Sequence, residues 1–599
     1  MIRITVKQTR GNVIAATLAL LLAAPTLCGA GLVHVSRVPR RSKLIQSRLP
    51  VAAQEAGRAG NAESPEFTAA LERIFTREKQ LWKSIRTYSP RIETYIQNIR
   101  PDKDLGSVPT DDEYFLGRLD FQRHMVIRSL LPQPSLPRRI IRDAAHPVTG
   151  LYSTHYQQES FARTILLDPS RFDRKHYDFQ FVRREFLGDI RCLVFDVNPQ
   201  RHAGREAFRG RIWVEDQDYN IVRTNGTFSP PPTFSSDFHF DSWRENLQPG
   251  LWLPVYVYSE ESDLKYGANR TMRFRSQTRL WGYDLTTHNR HQQPATHATV
   301  GAPAPARKSY DTAQNAAPVS PERQWGIEAD KTLLQRLEEA GLLAPAGDEV
   351  EKILETVLNN IVLSNRLEME NPPPLNCRVL LTSSLESLFI GDTIVISRGL
   401  IDVLPDEASL AMIESHELGH IVLRHNWTAK GDQYTFKDRL LVPDEDVLQR
   451  LDLRLPQEDE AAADSKGIEL LKHSPYKDKL DKAGLFLRAV AATAPRTPQL
   501  FGAHLGNRLA RGNHVRHMAE LMSSAPELKP ERVDQIAALP LGARVKVDAW
   551  SDRIRLMKSK PVTLLWAREK MPFEVTPLFP QLVRVSVRPQ NVREETLPH

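Results

Sequence analysis

The sequence predicts an α+β protein with a sheet-rich N-terminal domain and a mostly helical second domain that holds a small sheet. Between about residues 112 and 285, apolar residues recur with a period of two between turn residues such as Asn225-Gly226, which indicates an antiparallel sheet. From Asp348 onwards, apolar residues recur with helical spacing. Residues 286–324 are rich in Pro, Ala, Thr and Gln without periodicity, which is typical of a disordered linker.

The N-terminal domain is predicted to span residues 64–285. One or two helices between Phe67 and Ile99 open it, with an interruption at Pro90. The strands that follow are rich in β-branched and aromatic residues and are separated by turns such as Asp216-Gln217-Asp218. The predicted strands are Arg191–Val197, Phe208–Val214, Ile221–Thr224 and Trp252–Tyr258. Their succession resembles the curved sheets of lipoprotein-sorting carrier domains, and their aromatic residues are expected to form core rather than a lipid pocket.

The second domain opens with an amphipathic helix, for which Asp348 is the predicted cap and Glu351 lies three residues later. Its apolar face is formed by Val350, Ile353, Leu354, Val357, Leu358, Ile361 and Val362. Two strands, Val379–Thr382 and Thr393–Ser397, precede a helix with the acidic start Pro405-Asp406-Glu407.

This second domain is predicted to span residues 325–520. Further helices are expected after Asp464 and over Leu480–Ala491. Residues 521–599 are predicted to be a short β-rich appendage. Its strands are Val545–Ala549, Ile554–Met557 and Val562–Trp566.

The most informative segment is His416-Glu417-Leu418-Gly419-His420. With 3.6 residues per helical turn, positions i and i+4 lie on one face, so His416 and His420 can bind a single ion. Glu417 lies one step round the helix, where it reaches a water on the metal rather than the metal itself. That is the position of a general base in a zinc peptidase.

Zinc requires a third protein ligand and leaves its fourth position open for water and substrate. Glu460 is the best candidate, and one zinc ion per chain is predicted. Asp464 follows it by four residues, so the two carboxylates share a helix face. Asp464 is expected to accept a hydrogen bond from the second ring nitrogen of His416 or His420. Glu458 is the alternative third ligand.

These residues resemble the HtpX and CAAX-prenyl-protease (Ste-type) family of zinc metallopeptidases. The similarity covers roughly residues 345–520 and includes the run Gly391–Asp402, the HELGH motif and the segment Glu460–Asp464. Members are gluzincins, in which the HExxH helix provides two ligands and the Glu of an E-x-x-A-D segment the third. The resemblance therefore implies a zincin-like domain with these roles for His416, His420, Glu460 and Asp464. The family often has Asn-Ala-Phe-Ala before the glycine, where this chain has Glu386–Ile390.

A metzincin would need Gly and His where this chain has Leu423 and Asn426, which excludes that class. His425 is one position off and is expected to lie at the helix end, away from the metal. Ile394–Ser397 is expected to be an edge strand that pairs with extended substrate. The family places a His- or Arg-bearing segment near the zinc, where it stabilises the oxyanion. The candidates here are His504, Arg508, His514, Arg516 and His517.

The N-terminus has the pattern of an export signal. Basic residues precede an uncharged apolar run from Val13 to Val33, with Cys28-Gly29-Ala30 as the cleavage site. Residues 1–30 are thus predicted to be a signal peptide, with an N-terminal membrane anchor as the alternative because the run is long enough to span a bilayer. Residues 31–63 are predicted to be a flexible lead.

The net charge of +7 and the pI near 9.1 do not indicate nucleic-acid binding. Basic residues are dispersed among acidic and apolar neighbours, as over Arg91–Arg142, and form no patch. A peripheral contact with anionic lipid is the alternative to a solvated basic surface. Cys192 and Cys377 fall in different predicted domains, so no disulfide is expected.

The sequence therefore predicts an exported zinc metalloendopeptidase that cleaves protein or peptide substrates in the periplasm or cell envelope. Quality control of exported or envelope proteins is its expected role, by analogy with the family. The alternative is an envelope chaperone, or a lipid- or protein-binding carrier, whose peptidase site is rarely used or vestigial. The sequence does not predict the oligomeric state.

Overall fold

The first half of the chain forms a large antiparallel sheet, and the second half is mostly helical with small sheets, so the predicted α+β class is confirmed. The computed structural model describes residues 64–102, 106–121, 125–132, 156, 158–204, 207–229, 238–266, 270–284, 321–366, 375–426, 443, 446–529, 545–547, 554–556, 573–575, 578 and 580–585. The predicted signal peptide, the flexible lead and most of the predicted linker lie outside these residues.

Helix α1 (Pro65–Ile85) opens the described chain. Ser64 caps it by accepting a hydrogen bond from the backbone N–H of Phe67, and the proline at its start has no N–H to lose. The helix buries one apolar stripe against the sheet, formed by Leu71, Ile74, Phe75, Leu81 and Ile85.

The helical prediction is wrong for residues 91–99, which belong to a strand (Arg91–Asp102). Residues 92–97 are all buried, so the strand lacks the alternation that marks a half-exposed sheet. Ile92 and Ile96 lie on one face, in the core of the N-terminal half. Glu93 and Gln97 lie on the opposite face, where they contact the second half of the chain.

The large sheet has ten strands in the order β3-β2-β1-β10-β9-β8-β7-β6-β5-β4, and its neighbours pair antiparallel. The strands are β1 (Arg91–Asp102), β2 (Gly106–Phe121), β3 (Met125–Ser129), β4 (Tyr177–Leu187), β5 (Ile190–Pro199), β6 (Ala207–Glu215), β7 (Ile221–Ser229), β8 (His239–Gln248), β9 (Leu251–Tyr266) and β10 (Arg270–Trp281). A short helix, α2 (Gln158–Ala162), precedes β4. Each of the four strands predicted for the N-terminal domain lies within one of these strands.

One predicted turn is wrong. Asn225-Gly226 lies inside β7, where Gly226 is opposite Gly210 of β6. A Cβ atom on Gly210 would lie 2.2 Å from the Asn225 carbonyl oxygen and 2.9 Å from the Phe208 ring. The two glycines therefore let strands β6 and β7 approach closely and leave room for the Phe208 ring. They do not reverse the chain.

The second half contains eight further helices within the described residues. They are α3 (Pro321–Glu339), α4 (Glu349–Ser364), α5 (Arg398–Val403), α6 (Glu407–Val422), α7 (Val447–Arg450), α8 (Gln457–Lys472), α9 (Leu480–Thr493) and α10 (Leu521–Ser524), with a 3₁₀ turn at Lys477–Lys479. Helix α3 begins inside the predicted linker. In α4, the predicted apolar face is buried except at Ile353, which is exposed.

A three-stranded sheet precedes the helix that carries the HExxH motif. Its strands are β11 (Asn376–Leu380), β12 (Ser387–Ile390) and β13 (Thr393–Ser397), in the order β11-β13-β12. The central strand β13 pairs parallel with β11 and antiparallel with β12. The prediction that Ile394–Ser397 is an edge strand is therefore wrong. The edge strand that contacts the HExxH helix is β12.

Two small hairpins complete the described strands: β14 (Ala510–Arg511) with β15 (His514–Val515), and β16 (Val545–Val547) with β17 (Ile554–Leu556). The predicted strand Val562–Trp566 lies outside the described residues. None of the described helices is both long enough and apolar enough to cross a membrane.

Hydrogen bonds connect the two halves of the described chain, which belong to one compact unit. Trp281 Nε1 donates to the Gly341 carbonyl at 2.9 Å, and Arg91 Nε donates to the Ala340 carbonyl at 2.9 Å. Near the C-terminus, the side chain of Gln97 bonds to the backbone of Phe573 and Val575. The sheet of the first half thus supports the second half directly, while the domain boundaries remain predictions.

Candidate metal centre

Helix α6 carries the HExxH motif through the interior of the second half. Asp406 caps its N-terminus by accepting a hydrogen bond from the Ser409 backbone N–H at 2.9 Å. Apolar residues on several sides bury the whole helix from position 408 to position 421. His416, Glu417 and His420 are consequently 3%, 3% and 1% exposed. Polar side chains at this depth need partners, which come from the neighbouring elements.

Helices α8 and α6 cross so closely that the backbone of each contacts a glycine of the other. A Cβ atom on Gly419 would lie 2.6 Å from the Ala463 carbonyl oxygen, and one on Gly467 would lie 2.8 Å from the Ser415 carbonyl oxygen. Only glycine permits this separation, because any larger side chain would collide with the facing backbone. The close crossing brings Glu460, on the first turn of α8, to the two histidines.

The three candidate ligands meet at one point. His416 Nε2 and His420 Nε2 are 3.3 Å apart, and Glu460 Oε2 lies 3.3 Å from the first and 3.7 Å from the second. Zinc bonds of about 2.0–2.2 Å in a tetrahedral site require ligand atoms roughly 3.3 Å apart, which agrees with this spacing. Glu460 Oε2 is also buried among imidazole nitrogens without a well-aligned hydrogen bond to any of them, as expected of an atom that binds a cation.

The Nδ1 atom of each ligating histidine, which faces away from the candidate metal position, contacts another side chain. His416 Nδ1 lies 2.8 Å from Asp464 Oδ1, which also accepts a hydrogen bond from the Met518 backbone N–H. His420 Nδ1 lies 2.8 Å from His425 Nδ1. These contacts fix the ring orientations and leave both Nε2 atoms directed at the same point.

His425 reaches His420 because the chain reverses after α6. Arg424 has a positive φ of 58°, and the His425 backbone N–H donates to the His420 carbonyl at 3.0 Å. His425 is thus at the helix end, as the sequence predicts, but it orients a ligand rather than standing apart from the site. Helical spacing carries no signal for this contact, because it depends on the conformation of one loop residue.

The catalytic candidate Glu417 has a partner on β12. Ser387 Oγ donates to Glu417 Oε1 at 2.6 Å, and two residues later the Phe389 ring stacks on His420 at 5.2 Å between centroids. The strand at the end of the small sheet therefore contacts both the general-base candidate and a ligand. Sequence reasoning missed Ser387, which lies in the segment that departs from the resembling family.

Asn507 and His517 approach Glu460 from the region after α9. Asn507 Nδ2 donates to Glu460 Oε1, and to the Leu455 carbonyl at 3.2 Å. His517 Nδ1 lies 3.0 Å from Glu460 Oε2, and its ring is 4.5 Å from that of His416. Of the His and Arg residues proposed for the oxyanion, His517 is the one that the structure brings to the ligands.

The other oxyanion candidates lie elsewhere. His504 is half-buried and packs against Tyr114 of the large sheet, with ring centroids 5.1 Å apart. Arg508 and His514 are exposed, and His514 lies in the hairpin β14–β15. Glu458, the alternative third ligand, is also exposed. Glu460 is therefore the carboxylate that α8 directs at the histidines.

Burial and charge act in opposite directions on this cluster. Burial raises the pKa of Glu460, but the facing imidazoles of His416, His420 and His517 outweigh it and hold that pKa well below the usual range. Burial lowers the pKa of His416, but Asp464 and Glu460 outweigh it and raise the pKa from 6.5 to about 10. The raised pKa of His416 indicates that the carboxylates around it favour positive charge, which is what a metal ion supplies.

Comparison with known proteins supports one class for this site. Residues 383–437 match the sequence model of Peptidase family M48. The matched segment contains Ser387 and the whole HExxH motif and ends before Glu460. Peptidases of that family depend on zinc, so the match and the ligand cluster together support a metallopeptidase, a hydrolase of peptide bonds.

Other comparisons add no functional information. No curated protein matches the chain. A DUF1329 family protein from Desulfovibrio piger aligns over 36% of this chain and 94% of its own at 8% identity, with a TM-score of 0.18. The Pseudomonas aeruginosa MucA/MucB complex aligns over 36% of this chain and 96% of the solved chain at 11% identity, with a TM-score of 0.13. At these scores neither alignment supports an inference about fold or function.

Proposed function

We propose that this protein is a zinc-dependent metalloendopeptidase that hydrolyses peptide bonds of exported or envelope proteins. The observation that carries the proposal is the convergence of His416, His420 and Glu460, whose ligand atoms lie within 4.8 Å of one another. Glu417 is the next residue along the same helix and is buried beside them. A cluster of this composition leaves one position of a tetrahedral zinc ion open for water and substrate.

The residues of this chain have separable roles in hydrolysis. A bound zinc ion would act as a Lewis acid toward the scissile carbonyl. Glu417 accepts a proton from the attacking water and then donates it to the departing amine. Ser387 holds the Glu417 carboxylate through its Oε1 atom, which leaves the other oxygen for the water. His517, buried next to the ligands, is the best placed side chain to stabilise negative charge on the carbonyl oxygen.

The cellular part of the proposal is supported by the sequence. The basic start and the apolar run Val13–Val33 favour export, either with cleavage or as an N-terminal anchor. The resemblance to HtpX-type and CAAX-prenyl-protease-type enzymes favours a role in the quality control of exported proteins. Both points rest on sequence pattern and family analogy rather than on the geometry of the site.

The deciding experiment combines zinc analysis with casein cleavage by the wild type and Glu417→Gln. The wild type is expected to hold one zinc ion per chain and to cleave casein. Glu417→Gln should keep the zinc, because its ligands are unchanged, and lose activity by roughly 10²- to 10⁴-fold, because the base is removed. Glu469→Gln, which removes an exposed carboxylate from α8, is the matched control and should match the wild type.

Equal activity of Glu417→Gln and the wild type would end the hydrolase proposal. The chaperone or carrier alternative would then be the better explanation of the fold. Loss of zinc from Glu460→Ala would support Glu460 as third ligand, and full retention would move that role to another residue.

A further inference from the structure

We propose that Glu93, Asp112 and Tyr114 of the large N-terminal sheet are positioning residues of the peptidase site. They act through two loops of the second half. Loop A (residues 381–386) leads into β12, and loop B (residues 497–508) follows α9. This inference rests on the proposed peptidase function, and it assigns the sheet a part in catalysis rather than that of a separate carrier module.

Glu93 holds loop A. Its side chain is buried on β1. Its Oε1 atom accepts a hydrogen bond from the Ser383 backbone N–H at 2.6 Å, and its Oε2 atom accepts one from the Ser383 hydroxyl at 2.6 Å. The Tyr114 hydroxyl donates to the same carboxylate from β2. Four residues further along the chain, Ser387 donates to the general-base candidate Glu417. Loop A therefore connects the sheet to the base over a short, buried segment.

Asp112 holds the start of loop B. Its two carboxylate oxygens accept hydrogen bonds from consecutive backbone N–H groups, Gln499 at 2.9 Å and Leu500 at 2.8 Å. The Leu500 carbonyl in turn accepts the backbone N–H of Leu385 at 2.8 Å, which joins loop B to loop A. Tyr95 of β1 donates to Asp112 at 3.1 Å. A single carboxylate thus fixes two successive peptide groups and orients the loop that begins there.

The end of loop B is held to loop A and reaches a metal ligand. Glu386 is fully buried and accepts the backbone N–H groups of His504 and Leu505 at 2.9 and 3.1 Å. Tyr114 covers the His504 ring from the sheet side. Two residues after Leu505, Asn507 donates to Glu460. The chain of contacts therefore runs from the sheet to the third zinc ligand as well as to the base.

The contacts of Glu93 and Asp112 join carboxyl oxygens to backbone N–H groups of the two loops. Charge-assisted hydrogen bonds to buried backbone N–H groups are stronger than neutral ones, and a buried N–H that loses its acceptor is costly. Removing an acceptor therefore displaces the loop instead of leaving it in place. Catalysis is sensitive to such displacement, because an error of about 1 Å in a reacting group lowers the rate on the order of 10²-fold.

Another buried carboxylate in the same half provides a matched control. Glu78 of α1 accepts two hydrogen bonds from Arg244 of β8, each 2.7 Å long, and both side chains are buried. This pair lies entirely within the N-terminal half. Glu78→Gln should destabilise the sheet through an unpaired buried charge without touching either loop.

The test measures kcat, KM and zinc content of the full-length variants Glu93→Gln, Asp112→Asn, Tyr114→Phe and Glu78→Gln, well below the unfolding temperature of each. Glu93→Gln and Asp112→Asn are expected to lower kcat by about tenfold or more, with KM changed less than about threefold and zinc still at one per chain. Tyr114→Phe should show a smaller loss of kcat in the same direction. Glu78→Gln should keep the wild-type kcat even if it is less stable.

Wild-type kcat in both Glu93→Gln and Asp112→Asn would overturn the inference while leaving the peptidase function intact. An equal loss in Glu78→Gln would also overturn it, because general destabilisation would then explain the effect. If Glu93→Gln does not fold, Ser383→Ala removes only the hydroxyl contact and must lower kcat in its place. A wild type without any hydrolysis would refute the proposed function and, with it, this inference.

Discussion

At the scale of the residue, the geometry of the site depends on the side chains that contact the metal-ligand candidates and Glu417. Spacing on one helix places His416 and His420 together, and spacing on the next places Glu460 and Asp464 together, so these four could be predicted from the sequence. Ser387 and Asn507 come from other elements and could not. The sequence names His517 as one of five oxyanion candidates, but it does not predict the contact of His517 with Glu460. Each sits at a spacing that has no periodic relation to the motif, and its position depends on how the chain folds back.

Removal of the side chain of Asp464 or of His425, each of which contacts a ligating histidine, should weaken zinc binding. Asp464→Asn and His425→Ala leave all three ligands present but release the orientation of His416 and His420 respectively. Each is expected to raise the zinc dissociation constant by about 10- to 100-fold, measured by competition with a chelator. His514→Ala, at an exposed position on the hairpin, should bind zinc like the wild type. An unchanged constant for His425→Ala would show that its contact with His420 has no role in the metal site.

At the scale of the element, the crossing of α6 and α8 determines whether the ligands meet. Their contact is made by two glycines against facing carbonyl groups, with no side chain between the helices at those points. The sequence indicates both helices, but helical periodicity says nothing about how closely two helices approach. The separation depends on which backbone faces each glycine, and that is a property of the folded pair.

Gly419→Ala is expected to push α8 away from α6. The added methyl group would lie 2.6 Å from the Ala463 carbonyl, so the helices must separate, at a cost of about 1–3 kcal/mol in the free energy of unfolding. Zinc affinity should fall as well, because Glu460 moves with α8.

Gly326→Ala is the control for this substitution. Gly326 lies in helix α3 with nothing within 4 Å of an added Cβ, so alanine there should stabilise the helix by up to about 1 kcal/mol. Denaturant unfolding and zinc competition measure both variants. A Gly419→Ala protein as stable and as zinc-avid as the wild type would contradict the role given to this crossing.

Strand order was the least predictable feature at this scale. Thr393–Ser397 reads as a strand from its β-branched residues, yet its place between β11 and β12 follows from pairing between residues far apart in the chain. The same limit explains β1. Its burial on both faces removes the period-two signal, and both faces are buried only because the second half packs on one of them.

At the scale of the whole molecule, the two halves share buried polar contacts. Composition predicts a linker over residues 286–324, and composition cannot show whether the segments it joins touch each other. The structure adds the contacts of Glu93, Asp112 and Trp281 across the boundary. A sheet that reads as an independent domain from its pattern is therefore also a support for the loops of the site.

Limited proteolysis should test this arrangement. The predicted linker is expected to be cut first, because its Pro- and Ala-rich composition cannot bury enough apolar surface to order itself. The two fragments should then elute together from a size-exclusion column and retain casein cleavage. Separation of the fragments, with full activity in the C-terminal one alone, would show that the halves are independent and would contradict the shared support.

The contacts of residues 573–585 have a consequence for folding during synthesis. Val585 donates its backbone N–H to Asn246 at 2.8 Å, Arg584 donates to the buried Glu215 at 2.7 Å, and Gln97 bonds to Phe573 and Val575. All three partners belong to strands made hundreds of residues earlier. A nascent chain that has not yet reached residue 573 therefore lacks the contact of Arg584 with Glu215 and those of Phe573 and Val575 with Gln97, so its sheet is less stable than in the folded protein. The sheet is thus completed only after residues 573–585 have been made, in contrast to proteins whose N-terminal domain is complete while the rest is still being made.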